Sequence, residues 1–288
     1  MKNFVIPAVL ASVMASGFTF AAELPASIKA KGEVVVAIMP NYPPMDFKDP
    51  ATNTLTGLDV DLGNALAERL GVKIKWQETG FEQMINALTT DRVDMVMSGM
   101  TDTAERQASV TFVDYFTSGP QFYTLQKNKD TNEIIDLCGK KVGTSRRTTF
   151  PAEIAEWSKA NCEAAGKPAI NVIGTEGSAD ARAQLRQSRI DAAMQGSETL
   201  SYLKTQEKDM YKTVGLPISE QFTGLGVSKK KPEISEALKE ALPDRLTEVG
   251  ALTVAGAMGN AYERHQHERL SEKLGFGQAD VALRGHAV

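Results

Sequence analysis

Residues 90–99 read Thr-Asp-Arg-Val-Asp-Met-Val-Met-Ser-Gly, and residues 187–196 read Gln-Ser-Arg-Ile-Asp-Ala-Ala-Met-Gln-Gly. In register, Arg92 matches Arg189, Val93 matches Ile190 and Asp94 matches Asp191. Met97 matches Met194, and Gly99 matches Gly196. Each copy reads as a helix end, a turn and a buried strand closing on glycine. We prefer a structural repeat to a chance match, which predicts two lobes of similar α/β build. Ligands of open α/β sheets bind beyond the carboxyl ends of the strands. Ser98-Gly99 and Gln195-Gly196 are therefore expected to face one shared cleft.

The surrounding sequence alternates in the same way. Val34-Val35-Val36-Ala37-Ile38 is a continuous apolar run, as expected of a strand covered on both faces. Residues 57–70 read as a helix: Val60, Leu62, Leu66 and Leu70 are apolar, and Asp59 and Asp61 sit in the first turn, where negative charge suits the dipole. Gly71 ends it. Val72, Ile74 and Trp76 alternate with Lys73 and Lys75 in a half-buried strand. Residues 81–88 read as a second helix and residues 93–97 as the next strand. The series then restarts. Strands are expected at 141–144, 169–173 and 190–194, and helices at 151–165, 179–187 and 198–206. Such alternation predicts an α/β fold on parallel sheets.

Composition sets the outer bounds. The 288 residues suggest about two domains at roughly 150 residues each. Hydrophobic residues make up 42% and charged residues 24%, which excludes a disordered chain. Basic residues number 32 and acidic residues 36, for a net charge of −4. The longest basic cluster, Lys229-Lys230-Lys231, precedes a proline and reads as a solvated turn, so nucleic acid is not expected as a partner. Residues 1–22 carry Lys2, an apolar stretch over 4–20, and Ala21-Ala22 before Glu23. That is the pattern of a secretory signal peptide. Pro7, Ser12, Ser16 and Gly17 break the stretch, which argues against a membrane anchor. The mature chain is expected to be soluble and exported. In an exported chain, Cys138 and Cys162 favour a disulfide over two buried thiols. The bond would constrain the unfolded chain by roughly 3 kcal/mol. They do not form a Cys-x-x-Cys motif, so the expected role is a staple and not redox chemistry.

The segment from Met97 to Arg106 carries the most chemistry. A buried strand ends at Ser98-Gly99, and Asp102 and Glu105 have capping-box spacing, so a helix is expected to start there. Arg106 adds a planar fork of donors that matches a carboxylate. The alternative is a surface arginine in an ordinary first turn. In the second half, Thr144-Ser145-Arg146-Arg147-Thr148-Thr149 runs from a strand into a helix and could hold the same anion from the other side. It lacks the Gly-x-x-x-x-Gly-Lys pattern of a nucleotide site. There is no Gly-x-Ser-x-Gly elbow and no His-Glu-x-x-His. The three histidines, His265, His267 and His286, lie near the end of the chain and read as solvated, so no metal site and no cofactor are expected.

These pieces together resemble the periplasmic amino-acid-binding proteins of ABC transporters, known as bacterial solute-binding family 3. The resemblance runs from about Gly32 to Lys229. It includes Tyr42-Pro43-Pro44, Leu55-Thr56-Gly57-Leu58-Asp59-Val60-Asp61-Leu62, the Ser98-to-Arg106 segment, Arg189-Ile190-Asp191-Ala192-Ala193 and Thr223-Gly224-Leu225-Gly226-Val227. It implies a two-lobed periplasmic binding protein fold, each lobe a sheet flanked by helices. Residues 23–118 and 222–288 would form lobe 1, and residues 119–221 lobe 2. By matching position, Arg106 clamps a ligand carboxylate, helped by the backbone of the segment Ser98, Gly99, Met100 and Thr101. Arg147, Thr148, Thr149, Gln195 and Gly196 reach in from lobe 2, while Tyr42 and Phe81 sandwich the apolar part of the ligand. The implied activity is capture of a small carboxylate-bearing solute by hinge closure and its delivery to an inner-membrane ABC permease, by a monomer in the periplasm. The alternatives on the same fold are a cyclohexadienyl-dehydratase-like enzyme and a sensor lobe for a signalling receptor. No general acid can be placed from spacing, and an enzyme is not expected. Two features depart from the family. Gly196 stands where an acidic residue often pairs with the ligand amine, and residues after about Leu242 lack the usual closing pattern. With Arg146 and Arg147 added to the anion side, the cleft is expected to lean positive. A ligand amine would then be held less strongly than usual.

Overall fold

The computed structural model describes residues 23–242. The expected signal peptide, the segment from 243 onward and the three histidines lie outside the described residues. The strands, in chain order, are β1 (Glu33–Ile38), β2 (Asn41–Tyr42), β3 (Asp46–Lys48), β4 (Leu55–Thr56), β5 (Lys73–Glu78), β6 (Met95–Val96), β7 (Val110–Ser118), β8 (Pro120–Leu125), β9 (Lys141–Ser145), β10 (Asn171–Thr175), β11 (Ala192–Gly196), β12 (Tyr211–Val214) and β13 (Gln221–Ser228). The helices are α1 (Ala26–Lys31), α2 (Leu58–Arg69), α3 (Met84–Thr89), α4 (Ala104–Gln107), α5 (Phe150–Asn161), α6 (Ser178–Arg186), α7 (Ser197–Gln206) and α8 (Pro232–Ala241).

Two five-stranded sheets carry the two lobes, with strand orders β5-β1-β6-β13-β7 and β10-β9-β11-β8-β12. In the first, β1 runs parallel to β5 and β6, while β13 is antiparallel to β6 and β7. In the second, β9 runs parallel to β10 and β11, while β8 is antiparallel to β11 and β12. The chain leaves the first sheet between β7 and β8 and returns to it between β12 and β13. Each sheet buries its own apolar set. Val36, Met97, Leu225, Val227 and Leu238 pack in lobe 1, and Phe122, Leu137, Val142, Ile154 and Met194 in lobe 2.

The sequence echo has the same backbone role in both lobes. Asp94 N–H donates to Val35 O at 2.8 Å, and Val35 N–H donates back to the Asp94 carboxylate at 3.1 Å. Asp191 N–H likewise donates to Lys141 O at 2.8 Å, and Lys141 N–H donates to the Asp191 carboxylate at 2.8 Å. Each aspartate thus docks the turn after a helix onto the second strand in its sheet's spatial order, β1 in lobe 1 and β9 in lobe 2. Asp91 and Ser188, which precede the matched arginines, both hold a left-handed φ, of 57° to 58°.

Several boundaries differ from those expected. The strand expected over 93–97 is reduced to β6, because Asp94 spends its groups on Val35. The helix expected from Phe81 opens as a single 3₁₀ turn, Phe81–Gln83, before α3. The helix expected over 151–165 ends at Asn161, after which a 3₁₀ turn and left-handed Gly166 redirect the chain. Cys162 sits at that end and is bonded to Cys138, with Cα atoms 5.5 Å apart. The capping box expected from Asp102 and Glu105 is absent. Thr103 caps α4, its hydroxyl accepting from Arg106 N–H at 3.2 Å, while Asp102 accepts from the Gln107 side chain. α4 is a single turn because β7 begins three residues beyond it.

Candidate functional site

A cavity lies between the lobes, at the carboxyl ends of β1, β6, β9 and β11. Tyr42, Phe81, Ser98, Gly99, Thr101 and Arg106 line it from lobe 1. Arg147, Thr148, Thr149 and Gln195 line it from lobe 2. Of the residues expected there, two do not reach it. The Met100 side chain is 1% exposed and packs with Ala37, Met84, Leu88 and Val96 in the core of lobe 1. The backbone pairs this segment with β13, so the side chain after Gly99 points inward. Gly196 is sealed off: a Cβ there would collide with the Glu198 carboxylate and the Tyr42 hydroxyl.

Arg106 forms the anion end. Its Nη1 donates to Thr101 O at 2.8 Å, which fixes the guanidinium plane, and its Cζ lies 5.4 Å from the centre of the Phe81 ring. This uses one ring face and one donor. The remaining donors have no acceptor among the described residues. Burial lowers the Arg106 pKa, opposed by the neighbouring Glu105, Asp102 and Glu153; an arginine nevertheless keeps its charge.

The floor beside Arg106 is built on buried carboxyls. Ser98 hydroxyl accepts from Met39 N–H at 3.0 Å and donates to Asp46 at 3.1 Å. Gly99 N–H donates to Asp59 at 2.7 Å. Gly99 has a φ of 54°, and a Cβ would stand 2.7 Å from the Tyr42 ring, so only glycine lets that ring lie on the turn.

The lobe 2 side is less uniform than expected. The Thr148 hydroxyl donates to Ser145 O at 2.8 Å and accepts from Phe150 N–H at 3.3 Å, so it serves the turn. Thr149 precedes α5 without a side-chain capping bond and keeps its hydroxyl free. Gln195 is 1% exposed, lines the cavity, and its Nε2 has no partner.

The expected surplus of positive charge is not present. Arg146 and Arg147 both line the cavity, but Arg146 pairs with Glu176, and Arg147 pairs with Glu82 at 2.7 Å. A third acid, Glu198, does not itself line the cavity: it lies buried behind the wall at 1% exposure and accepts from the Tyr42 hydroxyl, while its Oε2 has no partner among the described residues. Burial raises the Glu198 pKa, and burial together with Glu198 pushes the Tyr42 phenol well above its ordinary value. Sequence reasoning missed Glu82, Glu176 and Gly177 as lining residues. The signal for the last two was the strand-end rule. The strand expected over 169–173 runs instead to Thr175, which carries residues 176–178 to the cleft edge.

Several contacts join the lobes around the cavity. Tyr42 bonds Glu198, and Arg147 pairs with Glu82. Thr199 hydroxyl donates to Pro43 O at 3.1 Å, and the Phe47 and Tyr202 rings lie 5.7 Å apart. The lobes are therefore in contact over the cavity. Among the described residues no helix is long and apolar enough to cross a membrane, and no cluster of three or more potential ligands could hold a metal ion.

Comparison with known proteins points the same way as this geometry. Residues 34–253 match the model for bacterial extracellular solute-binding proteins, family 3. The L-arginine-binding protein of Pseudomonas aeruginosa is 31% identical over 250 residues, spanning 84% of this chain and 90% of that protein. The L-cystine-binding protein of Bacillus subtilis is 32% identical over 228 residues, spanning 77% of this chain and 81% of that protein. The arginine-bound form of truncated ArgBP from T. maritima superimposes with a TM-score of 0.67 at 28% identity, covering 75% of this chain and 97% of that one. These relatives are named as binding proteins and not as enzymes. The chain belongs to the bacterial extracellular solute-binding proteins of family 3, a receptor of the amino-acid transport systems.

Proposed function

We propose that this receptor captures an amino acid, holding its carboxylate on Arg106, and passes it from the periplasm to an ABC permease. One observation carries the reading: Arg106 has unused donors on the cavity wall while its plane is already set by Thr101 and Phe81. The Thr149 hydroxyl and the Gln195 amide face the same space from the other lobe. The ammonium would turn toward Glu198. Its carboxylate occupies the place a side chain on residue 196 would take, and one oxygen is unpartnered. With Arg146 and Arg147 already paired, a zwitterion suits the cleft better than an amine-free acid.

In this reading, residues 1–22 direct export, residues 23–118 and 222–242 form lobe 1, and residues 119–221 form lobe 2; the rest of the range expected for lobe 1 lies outside the described residues. One chain supplies both walls of the cavity, which supports action as a monomer. Native mass spectrometry of the exported protein, purified without denaturation, tests the proposal through the mass of any co-purified ligand. A thermal-shift screen of amino acids and their desamino analogues then ranks the classes. Amino acids should stabilise the protein more than the matching desamino acids. Equal or greater stabilisation by the desamino acids would overturn the role of Glu198, and stabilisation by amines lacking a carboxylate would overturn that of Arg106.

A further inference from the structure

Asp46 and Asp59 are both 0% exposed, and neither makes an ion pair among the described residues. Asp59 has both oxygens committed as acceptors. Oδ1 takes the Tyr115 hydroxyl at 2.6 Å and Oδ2 takes Gly99 N–H at 2.7 Å. It also lies in the first turn of α2, a twelve-residue helix, where the dipole favours a negative charge. Asp46 accepts from the Ser98 hydroxyl through Oδ2, and its Oδ1 finds no donor. The two carboxyls are hydrogen-bond neighbours of each other. Two ionised carboxylates cannot hydrogen-bond, and two fully buried carboxyls in mutual contact with no cation beside them do not both stay ionised. One proton must lie between them.

We propose that Asp46 keeps this proton and donates it to an ionised Asp59, and that the pair is the positioning device for the Ser98–Gly99 turn on the cleft floor. Asp46 and Asp59 are positioning residues: they act on the solute through Ser98 and Gly99, which line the cavity. The groups facing the pair are Tyr42 from β2, Tyr115 from β7 and Glu198 from α7, all acidic or neutral, together with Ser98. Among the described residues, no cation pairs with either carboxyl to neutralise a second charge. Burial, with Asp59 beside it, holds the Asp46 carboxyl well above the usual aspartate range. The consequence for stability follows from proton linkage. Below about pH 4 both the folded and the unfolded chain hold the proton. As pH rises, the unfolded chain releases it first, so the fold loses stability progressively until the folded-state value is passed.

Asparagine at position 46 mimics the protonated acid: its amide can donate to Asp59 and its carbonyl can accept from Ser98. In Asp46→Asn, the thermal midpoint should therefore equal or exceed that of the native chain at about pH 8 and should fall less steeply with rising pH. Its infrared spectrum at neutral pH should lack one carboxylic-acid C=O band that the native chain shows. Asp59→Asn, which sets an amide donor against donors, should lower the midpoint at every pH. An unchanged pH slope, or no band lost in Asp46→Asn, would overturn the proposal. A carbon-13 titration of native protein keeps the test decisive should the variant fail to fold. The Asp46 carboxyl and the Gly99 amide should titrate together, well above the ordinary aspartate range. An Asp46 midpoint in the ordinary range would refute it.

Discussion

Arg106 and Gly196 show how one position sets the chemistry of the cleft. The guanidinium is largely desolvated, so under the proposed function truncating it would leave the solute carboxylate without a partner in the cavity. Arg106→Ala should cost several kcal/mol of binding, on the order of a thousandfold in Kd, and should change the stability of the ligand-free protein little. Calorimetry on the ligand identified by mass spectrometry checks this, and an unchanged affinity would remove Arg106 from the site. Gly196 is a steric requirement. Gly196→Ala places a methyl group where Glu198 and Tyr42 meet across the lobes. We expect weaker binding with only a modest loss of lobe 2 stability, because the atoms met are the flexible end of Glu198 in the same lobe and the Tyr42 hydroxyl of the other lobe. Affinity measured beside ligand-free thermal unfolding separates the two. The position of Arg106 was legible in the sequence, because a residue just past a strand end faces the cleft, and the structure puts it on the cavity wall. Met100 was misplaced because side-chain direction in that segment depends on its pairing with β13, a partner more than a hundred residues away.

At the scale of elements, the bond between Cys138 and Cys162 ties the start of lobe 2 to the end of α5. Cys162 is 0% exposed and part of the lobe 2 core. Replacing both cysteines by serine should destabilise the chain by about 3 kcal/mol, from the lost chain-entropy term. Denaturant unfolding measures this, and thiol labelling of native protein under denaturing, non-reducing conditions should find no free sulfhydryl. The elements themselves were readable from period and composition. Every expected helix and strand within residues 23–242 has a counterpart, but β7, β8, β12, β13 and α8 were not read from the period, and their antiparallel pairings make both sheets mixed and not parallel; the remaining errors sit at ends. Ends are decided by hydrogen bonds of single side chains, as when Thr103 and not Asp102 caps α4. Nothing in the spacing Asp102 to Glu105 distinguishes that outcome.

Across the whole molecule, closure rests on a few contacts of unequal strength. The Arg147–Glu82 pair is about half exposed, with side chains 51% and 37% accessible. Exposed pairs contribute no more than about 1 kcal/mol. Glu82→Gln should therefore weaken binding by at most about fivefold, and the difference from native protein should shrink as salt is added. Binding isotherms at low and high ionic strength decide it. A salt-insensitive loss would mean that Glu82 touches the solute directly.

Hydrophobic period, the repeated Arg-x-Asp turns and the strand-to-helix segment that carries Arg106 were determined by the sequence alone, because each depends on residues close together in the chain. The two-lobed α/β layout followed from them, since a strand covered on both faces must be flanked by helices. The charge of the cleft was decided only by the tertiary structure. Arg146 meets Glu176 within lobe 2, just past the ends of the paired strands β9 and β10, Arg147 meets Glu82 across the lobes, and Glu198 fills the space that Gly196 leaves empty. Asp59 reads in sequence as a favourable charge in a helix first turn. Its proximity to Asp46, and with it the need for a shared proton, arises only when β3, α2 and the end of β6 converge in one buried place.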